Sequence, residues 1–148
     1  MRPAYLALGA ATVANVLGWV LPVVNDYRGW QAFRVAFSPV WPFENFKINP
    51  GPLMLLAVAS AATNALFYVL AGLIAVRWAS TARRARGVLW VAAGAVLLDL
   101  HWPLSMGEMA VELENGYFVW VGGFALLALA AFFEVQGAPR RAGDDETD

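Results

Sequence analysis

The sequence predicts an all-α membrane protein: a four-transmembrane-helix bundle with short amphipathic interfacial helices in its two outer loops. Three observations carry that reading. Of 148 residues, 60% are hydrophobic and 14% charged, against about 45–50% and about 25% in a soluble domain. Four apolar segments each approach the ~20 residues needed to cross a ~30 Å hydrocarbon core. Arginines gather in the short connection between the second and third segments and again beyond the fourth.

The first segment, residues 4–24, meets no charge before Asp26. Its apolar run exceeds the ~7–15-residue core of a secretory signal peptide, and no A-x-A site precedes a polar start, so it is expected to be retained. The second segment covers 53–76, the third 87–104 and the fourth 117–135. Residues 1–136 thus form one membrane domain. The polar tail "GAPRRAGDDETD", 137–148, is expected to be disordered.

Orientation follows from Arg77, Arg83, Arg84 and Arg86 between the second and third segments, Arg140 and Arg141 after the fourth, and Arg2 before the first. Positive residues stay on the cytoplasmic side. The expected location is a bacterial inner membrane, with both termini cytoplasmic and two loops outside. Arg28, Arg34 and Lys47 in the first outer loop run against the trend.

That loop holds Tyr27, Trp30, Phe33, Phe37, Trp41, Phe43 and Phe46, seven of the chain's twenty aromatics. Residues 27–37 suit a short helix capped by Asn25 or Asp26. Trp30, Phe33 and Phe37 share one face, and Arg28, Gln31 and Arg34 another. Aromatic rings of this kind favour the membrane–water boundary. Tyr27, Trp30, Phe33, Arg34, Phe37 and Trp41 are therefore candidate contacts for lipid or a protein partner. In the second outer loop Ser105 and Glu108 have capping-box spacing. Glu108 and Glu112 lie four apart on one face of a short helix, and Asn115-Gly116 suits its end.

Small residues recur at four-residue steps: Ala10, Ala14 and Gly18 with Ala7 and Ala11 alongside, then Ala57, Ala61 and Ala65. Such stripes let helix backbones approach closely in lipid. They predict tight packing of the first helix on the second, or a face for a second copy. Asn15 and Asn64 reach similar depth, and an interhelical hydrogen bond between them is the economical expectation. A polar pocket is the alternative.

Asp99 and His101, the only histidine, interrupt the third segment. Counting from Arg86 at ~1.5 Å per residue places Asp99 roughly 20 Å across the membrane. Pro103 lacks an N–H and clashes with the carbonyl of Asp99, so the helix should kink or end near Trp102. Three explanations remain open. Asp99 and His101 terminate a helix, satisfied by backbone, water, Arg28 or Arg34. They belong to a proton- or ligand-responsive pocket. Or they join Glu108 and Glu112 around a metal, although one histidine and no cysteine make a poor zinc set.

With no cysteine, disulfides, thiolate catalysis and Cys-ligated centres are excluded. No catalytic constellation or cofactor motif is legible. A net charge of -1 gives no sign of nucleic acid. The elements "GWQAF", "INPGPL" and "GYFVWVGGFALLALA" resemble small prokaryotic four-helix membrane proteins of uncharacterised activity. The resemblance implies the helix plan and no site residues. The leading expectation is a non-catalytic accessory, scaffold or self-assembling subunit, contacting membrane lipids and a protein partner or second copy. The alternative is a small-molecule, proton or metal site lined by Asn15, Asn64, Asp99, His101, Glu108 and Glu112.

Overall fold

The computed structural model describes residues 2–43, 51–105 and 113–138. Its elements in order are α1 (Pro3–Val20), β1 (Pro22–Val24), β2 (Tyr27–Arg28), α2 (Gly29–Ala36), α3 (Pro52–Ala75), α4 (Ala82–Asp99), α5 (His101–Ser105) and α6 (Asn115–Gly137). The chain is mostly helical. In α1, α3 and α6 it has three helices long and apolar enough to cross a membrane. The 18-residue α4 matches α1 in length. It opens with Arg83, Arg84 and Arg86 and closes on Asp99, so its apolar stretch is shorter.

The hub is α6, with α1 packed along one side and α4 along another, while α3 leans mainly on α4. The small-residue stripe of α1 therefore packs mainly on α6, with only slight contact between α1 and α3, contrary to the expectation above. Ala4, Ala7, Ala11, Asn15 and Gly18 form its buried face, whereas Ala10 is exposed. The complementary surface is on α6. A Cβ on Gly123 would lie 3.2 Å from Asn15 N and 3.3 Å from Ala11 O, and one on Gly18 would lie 2.6 Å from Trp120 Cβ. Close backbone approach is the available source of helix association in lipid, and this pair of helices supplies it from both sides.

Toward the α3–α4 turn the core is wholly apolar. Phe67 and Phe124 meet edge to face at 5.2 Å, among Ile74, Ala85, Ala92, Leu127, Ala130 and Ala131. Offset and edge-to-face arrangements are the favoured geometry for such rings. Thr81 opens α4 by accepting from Arg84 N, five residues before the expected start.

The opposite end departs most from the sequence reading. The first helix stops at Val20, not residue 24. Leu21 precedes Pro22 and is extended (ψ 153°), as a residue before proline prefers. β1 and β2 then pair antiparallel around Asn25 and Asp26, both at positive φ (47° and 64°). Two left-handed residues are what a tight hairpin turn needs, and Asn and Asp tolerate that region best after glycine. These residues therefore make a turn and do not cap the helix. Tyr27 lies in β2. α2 starts at Gly29, where Gln31 Oε1 accepts from Arg28 N at 3.0 Å. The third segment is two helices, α4 and α5, broken at Leu100. Asn115 and Gly116 open α6 instead of ending a preceding helix. The expected helix around Glu108 and Glu112 and the tail from 139 lie outside the described residues.

The hairpin is pinned to the start of α6. Glu114 N donates to Val23 O (3.0 Å), Glu114 Oε1 accepts from Asp26 N (2.8 Å), and Val24 bridges to Leu113. Gly29 and Gly116 allow this closeness: a Cβ on the first would run into Gly18 O, and on the second into Pro22 O.

Candidate functional site

The polar residues of the apolar helices collect at this hairpin end. Asp99, the last residue of α4, is fully buried. Its Oδ1 accepts from Ser60 Oγ at 2.7 Å, and Thr63 Oγ1 lies 3.2 Å from its Oδ2. Ser60, Thr63 and Asn64 lie within about one turn of α3 and are all buried. The serine hydroxyl also accepts from Trp102 Nε1 at 3.2 Å. One turn further along α3, Asn64 Oδ1 accepts from Trp120 Nε1 at 2.9 Å, while Asn64 Nδ2 donates to Ala61 O. Three helices and α5 are thus tied by side chains that lipid could not solvate.

Pro103 has a direct consequence here. It cannot donate to the carbonyl of Asp99, and that oxygen instead accepts from Tyr117 OH at 2.6 Å. A backbone group released by the proline is satisfied from α6, as a buried carbonyl requires.

Asn15 and Asn64 do not bond to each other. Asn64 is engaged by Trp120, and neither amide atom of Asn15 finds a partner among the described residues. Asp99 is satisfied by hydroxyls of α3, not by Arg28 or Arg34. The Arg34 guanidinium instead lies over Trp41 (4.3 Å) and Phe43 (5.0 Å), a cation–π arrangement. His101 does not join Asp99: its Nδ1 pairs with Leu98 O of the preceding turn, and its ring lies against Trp102. Glu108 and Glu112 lie outside the described residues. Among the described residues no three His, Asp or Glu side chains gather to hold a metal ion.

Beside this cluster is a cavity of about 340 Å³. The end of α1, the hairpin, α2, α3, α5 and the start of α6 line it. Trp19, Tyr27, Phe33, Trp102, Tyr117 and Trp120 supply its aromatic surface, with Ser60 and Asn64 as polar points. Of the aromatic residues expected at a docking surface, Tyr27 and Phe33 face this cavity. Phe33 also packs on Trp19 and stacks on Phe37. Trp30 and Trp41 remain exposed, at 45% and 60%.

No family model, curated protein or solved structure matches the chain. What the site can do is therefore read from its own chemistry. An apolar cavity of this size with a few convergent polar groups is the usual form of a small-molecule site. Asp99 lies directly behind it, separated by the Ser60 hydroxyl. Sequence reasoning does not find Ser60, Thr63, Tyr117 or Trp120 as site residues, and reads Trp102 only as the place where a helix kinks or ends. The available signal was three hydrogen-bonding residues, 60, 63 and 64, on one face of an otherwise apolar helix.

Proposed function

We propose that this chain is a four-helix protein of the bacterial inner membrane, with both termini cytoplasmic, that binds a small molecule at the outer end of its bundle. Large apolar side chains directed outward on α4 support its assignment as the fourth span: Trp90 is 73% exposed and Leu97 72%, which suits lipid and not water. The arginines of the α3–α4 turn support the orientation. The observation that carries the binding function is the cavity itself, formed by seven elements at the end where the buried polar groups collect.

Native mass spectrometry of the full chain released from gentle detergent tests this reading. We expect a bound small molecule in the wild type, and its loss when the cavity is filled by Ala61→Phe or Ala32→Phe. A wild-type spectrum without adducts, identical to those variants, removes the proposal. The absence of cysteine makes topology directly testable with single cysteines at 31 and 84, which we expect to be labelled from opposite sides.

A second role, as an accessory or scaffold subunit, is favoured by Trp30 and Trp41 alone, which stay exposed outside the cap. For that role, Trp30→Ala and Trp41→Ala lose a co-purifying protein while keeping the small-molecule adduct.

A further inference from the structure

We propose that the ligand of this cavity is a monovalent organic cation, a tertiary or quaternary ammonium compound; the assignment rests on the binding-site reading above. Six aromatic side chains, Trp19, Tyr27, Phe33, Trp102, Tyr117 and Trp120, line one space. They come from five different elements, so they line the cavity from several directions and do not form a stripe along one helix. Aromatic faces carry negative potential, tryptophan most strongly, and aromatic cages of this type recognise alkylated ammonium groups.

Charge points the same way. No acidic, basic or histidine side chain lines the cavity among the described residues. Behind its Ser60 wall, however, Asp99 is fully buried and meets only hydroxyl groups, with no cationic partner among the described residues. A buried carboxyl without a counter-charge is costly to ionise. A cation in the cavity would supply that charge across a single hydroxyl, where the low dielectric keeps the attraction strong. An anion would face both the carboxylate and the ring faces. A small hydrated metal ion would lose its water to walls that offer almost no oxygen ligands. An organic cation carries its charge under alkyl groups that suit the apolar wall.

The experiment compares three probes of one shape: benzyltrimethylammonium, its neutral carbon isostere neopentylbenzene, and the anion phenylmethanesulfonate. Each is titrated into the full chain in a neutral maltoside detergent. Tryptophan fluorescence is read, because Trp19, Trp102 and Trp120 face the cavity. The Ala61→Phe variant corrects for partitioning into micelles. We expect the cation to bind roughly tenfold more tightly than the neutral isostere, and the anion not at all. We expect Asp99→Asn, which keeps an oxygen for Ser60, to erase the cation's preference over the neutral probe. A neutral probe that binds as tightly as the cation overturns the inference and leaves the binding site standing. A cation preference that survives Asp99→Asn also overturns it, since the carboxylate then plays no part. If none of the three binds the wild type above Ala61→Phe, the cavity reading fails with it. The three-probe comparison on the wild type needs no variant at Asp99, so it decides even if Asp99→Asn does not fold.

Discussion

Toward the α3–α4 turn, Phe67 and Phe124 meet edge to face within an apolar cluster that includes Ile74, Leu127 and Ala131. Toward the hairpin, the same helices carry Ser60, Thr63, Asn64 and Asp99, and open around a cavity. The first region is held by packing density and the second by directed hydrogen bonds. In lipid the two have different reference states. An apolar side chain that leaves the first region meets hydrocarbon and loses mainly shape complementarity. A polar one that leaves the second meets hydrocarbon and loses its partner. The packed half fixes the helices relative to one another, and the hairpin half can then afford a hollow.

The largest effect should come from the packed half. Phe124 is completely buried between Phe67 and Trp120. Phe124→Ala should cost near the lower end of about 3–5 kcal/mol, since the cavity left behind adds to a reduced transfer loss. Unfolding in mixed micelles by a denaturing detergent would measure it. A loss under about 1 kcal/mol would mean that the packed half is no tighter than the cap.

The cap half should break through backbone contact and not through volume. In Gly116→Ala the new Cβ runs into Pro22 O, and the hairpin must lift from α6. We expect a cost of about 1–3 kcal/mol, typical of overpacking, together with loss of ligand binding. Gly94→Ala is the control. Nothing lies within 4 Å of its Cβ position, and replacing a helical glycine should stabilise by about 0.5–1 kcal/mol. Equal effects at the two glycines would remove the distinction between a contact-limited cap and an open helix face.

The contrast between the halves also explains what could be read from sequence. Apolar segments declare themselves by length and composition, so α3 and α6 fall within two residues of their expected bounds. The end of α1 was misplaced because Val23 and Val24 are as apolar as the helix before them. Pro22 and the Asn25-Asp26 pair were the turn signals that outweighed hydropathy. The partner of α1 was not legible. Small residues line several helices, and the choice of α6 depends on Gly123 standing opposite Ala11 and Asn15. At the site, an ionisable group deep in an apolar run was visible as Asp99. Its donors were not, because naming Ser60 and Thr63 requires knowing how α3 is rotated against α4.

Asn15 lies at the boundary between the two regions and sharpens the comparison. It is fully buried, and its amide has no partner among the described residues. If it belongs to the packed half, Asn15→Leu replaces an unsatisfied amide by hydrocarbon of similar size and should stabilise by about 1 kcal/mol. A loss of stability in the same unfolding assay would place Asn15 with the hydrogen-bonded half instead.

The smallest expected effect tests the break between α4 and α5. Tyr117 OH donates to the Asp99 carbonyl, which Pro103 leaves without its helical donor. Tyr117→Phe should cost roughly 0.6 kcal/mol, the usual worth of such a bond in a membrane protein. In a Pro103→Ala background, residue 103 regains an N–H that can serve the same carbonyl. The cost of Tyr117→Phe should then shrink, giving a coupling energy of about 0.5 kcal/mol in a double-mutant cycle. Additive effects would mean that the tyrosine acts as a packing ring of the cavity wall. Coupled effects would mean that the proline and the tyrosine are two parts of one device. The proline opens the helix beside Asp99, and the tyrosine closes the hydrogen-bond ledger that the opening disturbs.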